Sequence, residues 1–186
     1  MEPDAAAPSR RRFVLAALTS AGLAGCLGTS DHPDPISRSD AMSCNQCGMI
    51  LSQQPGPAGQ AYYQDNSPEG NEPPARFCSA VCTHCHRFAK GDQGWTPQVT
   101  YLTDYAAVDY RVSQSGGTPV ISAHLGAEGF AATDALDVVV GSDIQGSMGP
   151  AIVPFSDTAQ AESFASAYGG DVIAASDISR ELIAQQ

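Results

Sequence analysis

Phe77-Cys78-Ser79-Ala80-Val81-Cys82-Thr83-His84-Cys85-His86 is the stretch on which the fold turns. Arg76-Phe77-Cys78 reads as a short strand. Ser79 is placed to cap a helix over Ala80–Lys90, because a serine oxygen accepts a free N–H of the first turn, and Gly91 is placed to close it. Upstream, Gln60–Gln64 reads as a strand, with a Pro/Gly loop over Gln53–Gly59 before it and a polar loop over Asp65–Pro74 after it. Ala41–Cys47 forms a knuckle, from which Met49-Ile50-Leu51 is expected to enter a strand. Residues 42–96 are therefore expected to be a ββα unit.

The unit concentrates soft ligands. Met42-Ser43-Cys44-Asn45-Gln46-Cys47-Gly48-Met49 supplies two thiols and two thioethers, and the helix segment adds Cys78, Cys82, Cys85, His84 and His86. Helical spacing puts Cys82, Cys85 and His86 on one face with Cys78 just below, and turns His84 toward solvent. Cys44, Cys47, Cys78 and Cys82 make a candidate four-thiolate site. Thiolates and thioethers select Cu(I), zinc and iron–sulfur clusters over hard cations. Closed thiolate sites are usually structural and open ones functional. One rival pattern is present: Cys82-Thr83-His84-Cys85-His86 matches c-type haem attachment, with Met148 or Met49 as the distal ligand. It leaves Cys44, Cys47 and Cys78 without a purpose. A disulfide framework fits less well, since Cys26 apart, five cysteines remain, an odd number. A redox C-x-x-C normally opens a helix, and here a turn follows it.

From residue 97 to 186 there is no cysteine. Val99–Leu102, Val108–Val112, Thr118–His124 and Ala135–Val140 read as strands, and Gly146–Pro150 as a turn that carries Met148 into the strand Ala151–Phe155. Ser156 or Asp157 caps a helix over Thr158–Tyr168, Gly169-Gly170 ends it, Asp171–Ala175 is a strand, and Asp177–Ala184 a short helix. The fold class is α+β, two small ββα(β)-type units. His124 reads as a satisfied or exposed histidine, and Met148, taken alone, as filler.

Ser9-Arg10-Arg11-Arg12-Phe13-Val14 has the form of a twin-arginine export signal, and Leu15–Gly25 is too short to span a bilayer. Leu23-Ala24-Gly25-Cys26 reads as a lipobox, so residues 1–25 are expected to be removed and Cys26 lipidated, with an uncleaved anchor as the alternative. Residues 26–41 read as a flexible tether. The domain then faces outward from the cytoplasmic membrane.

The formal charge is −11, and Lys90 is the sole lysine. Such a surface matches proteins that stay solvated in molar salt, as in halophilic archaea; a docking face for a basic partner is the alternative. No basic patch exists for nucleic acid. No nucleophile–base arrangement or nucleotide loop points to catalysis, so a non-enzyme is expected.

Cys47-Gly48-Met49, the Phe77-Cys78 helix segment, Met148-Gly149-Pro150-Ala151-Ile152-Val153-Pro154-Phe155 and Gly170-Asp171-Val172-Ile173, behind a lipobox, together resemble the NosL family. The cysteine-rich half resembles TRASH-type treble-clef modules. The NosL resemblance implies a Cu(I)-binding chaperone for the copper centre of nitrous oxide reductase, with that enzyme and its maturation machinery as partners. It implies copper ligation by Cys47 and Met49 and makes Met148 a ligand candidate. Cys78, Cys82 and Cys85 exceed that pattern, and a second, zinc-binding thiolate site would account for them.

Overall fold

The computed structural model describes residues 32–39, 42–68 and 72–186. The signal, the lipobox and Cys26 lie outside the described residues. The described residues form one compact unit.

Two capped helices organise the chain. Ser79 accepts from the Cys82 N–H at 2.9 Å, and α1 runs Ala80–Asp92, through Gly91 and past the expected end. Asp157 accepts from the N–H groups of Ala159 and Gln160, and α2 runs Thr158–Tyr168, as its sequence predicts. Ser79 and Asp157 each satisfy orphan N–H groups of a first turn.

Before α1, β1 (Gly59–Tyr63) and β2 (Ala75–Phe77) pair antiparallel. After it, β3 (Pro97–Thr103) pairs with β1 on the other side, and β6 (Phe130–Ala132), a strand not expected from the sequence, pairs with β3. The sheet order is β2-β1-β3-β6, so a division at residue 96/97 passes between hydrogen-bonded strands. Gly59 lets α1 sit down on this sheet: a Cβ there would meet the Thr83 side chain.

β4 (Val112–Ser115) and β5 (Thr118–Ile121) form a hairpin, extended by the two-residue strands β8 (Gln145–Gly146) and β9 (Gly149–Pro150). The expected strand over Val108–Val112 is irregular up to its last residue. A third sheet, β10-β7-β11, takes β7 (Asp137–Val140), β10 (Val153–Phe155) and β11 (Asp171–Ala174). The last helix, α3, is only Arg180–Ile183. The class is α+β, as expected.

Three interiors matter. Phe155, Phe164, Tyr105, Ile121, Val139 and Ile144 make an aromatic and aliphatic core under α2. Leu102, Val138, Ile152 and Ile183 join the sheets to α1 and α3. Leu51, Phe77, Tyr63 and three cysteines form the core beside the start of α1.

Two local readings are corrected here. Met49-Ile50-Leu51 does not enter a strand: Ile50 makes an isolated bridge with Ser43, and Leu51–Gln53 is a 3-10 turn. Residues 32–39, read as part of a flexible tether, are strapped down. Gln60 exchanges two hydrogen bonds with the Ile36 backbone (2.9 and 2.6 Å), Tyr101 donates to the Pro33 carbonyl, and Arg38 donates to the carbonyl of His124. The side chains that hold the strap come from strands far along the chain, so local composition does not reveal it.

Candidate metal centre

The knuckle is built by backbone bonds. Gly48 N–H donates to the Cys44 carbonyl at 2.9 Å and Cys44 N–H to the Met49 carbonyl at 2.8 Å. Gly48 sits at φ 78°, a left-handed conformation glycine adopts without strain. Asn45 ties the knuckle to β2: its N–H donates to the Arg76 carbonyl, and its Oδ1 accepts from the Arg76 N–H, both at 2.8 Å. β2 then delivers Cys78, and the first turn of α1 raises Cys82 above it.

The result is a cluster of four sulfurs. The Sγ atoms of Cys44, Cys47, Cys78 and Cys82 all lie within 4.8 Å of one another. Cys47 and Cys78 are 3.4 Å apart, and Cys78 and Cys82 are 3.8 Å apart. Cys44, Cys78 and Cys82 are buried; Cys47 is exposed. Thiols this close cannot all ionise without a cation between them. Hydrogen bonds from Cys78 and Cys82 hold Cys44 far below the ordinary thiol range. The same contact with Cys44 pushes Cys78 up to about 12 and Cys82 higher still. The cluster thus shares protons where a soft cation would replace them.

Three thioethers lie on the elements that build the site. Met49 and Met42 are half-buried against the core that contains Cys44, Cys78 and Cys82. Met42 stands two residues before Cys44. Met148 is exposed on the β8–β9 turn. That turn is fastened to the site by Ser147, whose hydroxyl donates to the Cys78 carbonyl at 3.0 Å, and Met148 lines a crevice with Pro57, Ser79 and Ala80.

The rest of the helix does not follow the sequence reading. His86 is buried behind Phe77, and its Nδ1 is 2.9 Å from the Tyr63 hydroxyl. Burial lowers its pKa. Cys85 packs with the α1–α3 interior and lines a groove with Phe88 and Ile183. Neither belongs to the four-sulfur group. His84, expected in solvent, is 1% exposed. Burial holds its pKa down to about 3, and its Nε2 has no hydrogen-bond partner. The Cys82-x-x-Cys85-His86 run is therefore divided among three environments, whereas haem attachment needs both thiols and the imidazole at one macrocycle. The reason is that α1 is wrapped on several sides, so every turn of it meets a different neighbour. His124 pairs with Glu128 at 3.1 Å, as a satisfied surface histidine would.

A family model described as NosL matches residues 35–183. The copper-binding lipoprotein NosL of Stutzerimonas stutzeri is 28% identical over 174 residues, covering 91% of this chain and 80% of that protein. The copper-binding lipoprotein NosL of Achromobacter cycloclastes is 30% identical over 178 residues, covering 94% and 83%. The fold matches the crystal structure of the copper chaperone NosL from Shewanella denitrificans with a TM-score of 0.60 at 24% identity, over 78% of this chain and 95% of that one.

Proposed function

This chain belongs to the NosL family, and from that premise we propose that it carries Cu(I) and gives it up for assembly of the copper centre of nitrous oxide reductase. The observation that carries the reading is the four-sulfur cluster with one exposed member, Cys47. Cu(I) is soft and accepts two or three sulfur ligands, so an incoming donor can add before an old one leaves. Cys47 is the sulfur that such a donor reaches first. Met49, packed on the core that contains three of the thiols, supplies an uncharged thioether, and Met148 a second from the turn fastened at Cys78. The acidic surface does not compete, because carboxylates bind Cu(I) poorly. Residues 42–96 supply the thiolates, and residues 97–186 supply Met148 and the support. Cys26, lipidated after twin-arginine export, would hold the carrier on the outer face of the cytoplasmic membrane, where nitrous oxide reductase and its maturation machinery receive the metal.

Cys47→Ser and Met49→Leu should each weaken Cu(I) binding at least about tenfold, or about 1.4 kcal/mol, with thermal unfolding of the metal-free protein unchanged. Unchanged affinity in competition with a Cu(I) chelator overturns the assignment. Burial of three of the four thiols supports a second reading, a closed tetrahedral zinc site. Metal analysis of anaerobically purified protein separates the two: zinc that leaves only on unfolding is structural.

A further inference from the structure

Charge is distributed very unevenly along this chain. Of its residues, 20 are Asp or Glu and 9 are Lys or Arg. Yet residues 42–64 contain no Asp, Glu, Lys, Arg or His, and neither do residues 144–156, which Asp143 and Asp157 bracket. These two uncharged segments meet at the sulfur cluster. The first carries Cys44, Cys47 and Met49; the second carries Ser147, bonded to the Cys78 carbonyl, and Met148. Pro57 from the first and Gly146 and Met148 from the second line one crevice beside Ser79. Three large hydrophobic side chains are exposed among the described residues, and two belong here: Ile50 and Met148, each 39% exposed. The segments that bear and flank Cys47, the one exposed thiol among the described residues, are thus uncharged and partly apolar, and Lys90 and His86 come in only at the edge made by Asn45 and Gln46.

We infer that this neutral face, formed by residues 47–54 and 145–150 around Cys47, is the docking surface for the protein that accepts the metal, and that the acceptor meets it with an uncharged, apolar-rimmed surface carrying its own sulfur or imidazole donor. The inference rests on the carrier reading above. A handover by ligand exchange requires the acceptor's donor atom within bonding distance of the cargo, so the acceptor covers whatever surrounds Cys47. A basic acceptor would be drawn to the carboxylates on the rest of the molecule. A neutral contact face excludes that attraction, and it keeps recognition independent of salt. Exposed apolar side chains clustered at a functional site are typical of an interface core.

The test uses the full chain loaded with Cu(I) and copper-free nitrous oxide reductase supplied with its maturation complex. Ile50→Glu and Gln53→Glu each place a carboxylate on the neutral face without touching a sulfur; Ser163→Glu places one on exposed α2 as a control. The expected result is transfer slowed at least about tenfold by either face variant, unchanged in the control, with chelator-measured Cu(I) affinity unchanged in all three. Wild-type transfer should change less than about threefold between 0.1 and 2 M KCl. Face variants that transfer at the wild-type rate overturn the docking surface while leaving the carrier reading intact. A wild-type protein that binds Cu(I) but transfers none to this acceptor overturns both. A self-associated wild type that Ile50→Glu makes monomeric would assign the face to a second copy, and Ile50-dependent sedimentation with uncharged phosphatidylcholine vesicles to a lipid surface; either overturns the inference.

Discussion

The two halves of this molecule solve the same construction problem with different fillings. In each, a strand ends on a fully buried phenylalanine, a polar residue caps the next helix, and the helix folds back on its sheet. Phe77-Cys78-Ser79 leads from β2 into α1; Phe155-Ser156-Asp157 leads from β10 into α2. Under α2 the interior is hydrocarbon and aromatic, with Phe155 and Phe164 rings 5.3 Å apart. Beside the start of α1 it is thiol, with Cys44, Cys78 and Cys82 buried together. The first filling is complete in itself, because apolar packing needs no partner. The second has proton-sharing sulfurs where a cation would sit, so its stability depends on what it binds. One scaffold thereby holds a permanent core and a loadable one.

Phe155→Ala tests the permanent core hardest. It should cost about 4 kcal/mol in urea unfolding while leaving Cu(I) affinity within about threefold. An equal loss of affinity would mean that the two interiors are not separable.

His84 gives the next largest effect. Its pKa is lowered from 6.5 to about 3 by burial, so the folded protein binds its proton less readily than the unfolded chain. Its contribution is complete above pH 6.5 and is lost as pH falls toward 3. Between pH 7 and pH 4 the metal-free protein should lose about 3 kcal/mol on this account. His84→Leu should remove that part of the acid sensitivity, measured as the difference between urea midpoints at the two pH values.

The loadable core should respond to pH in the same direction, but through its thiols. Cys78 is pushed up to about 12 and Cys82 higher, so both keep their protons at neutral pH and must release them to a metal. Cu(I) affinity should rise about tenfold per pH unit for each proton displaced. Calorimetry in buffers of different ionisation enthalpy counts those protons; none released would break the contrast between the halves.

The smallest effects come from the caps. Ser79→Ala and Asp157→Ala should each cost about 1 kcal/mol. Only Ser79→Ala, which loosens the turn bearing Cys82, should also weaken Cu(I) binding. Equal affinities in the two variants would mean that the cap does not position the ligand.

Much of this was legible in the chain. Both long helices, the Ser79 cap, and β1, β3 and β7 follow from periodicity and turn chemistry, Asp157 was one of two candidate caps for α2, and the pairing of Cys44 and Cys47 with Cys78 and Cys82 follows from knuckle and helix spacing. β6 was missed because Phe130-Ala131-Ala132 carries too little β propensity to stand out before it pairs with β3. His84, Cys85 and His86 were misjudged for another reason. Helical spacing states which side chains share a face, but not which face the rest of the fold leaves open: on α1 it is the one bearing Ala89 and Asp92, not His84.

The amino-acid order alone determined the local events: a hydroxyl or carboxylate that starts a helix, a glycine that turns the knuckle at positive φ, and a supply of soft donors at fixed intervals. These act through bonds between residues a few positions apart, so they are written in the order itself. Only tertiary packing decided which donors meet. Asn45 locks the knuckle to β2, Gly59 lets α1 close on the sheet, and Tyr63 holds His86 aside. Burial and ligand geometry depend on how whole elements press together, and no interval along the chain encodes that.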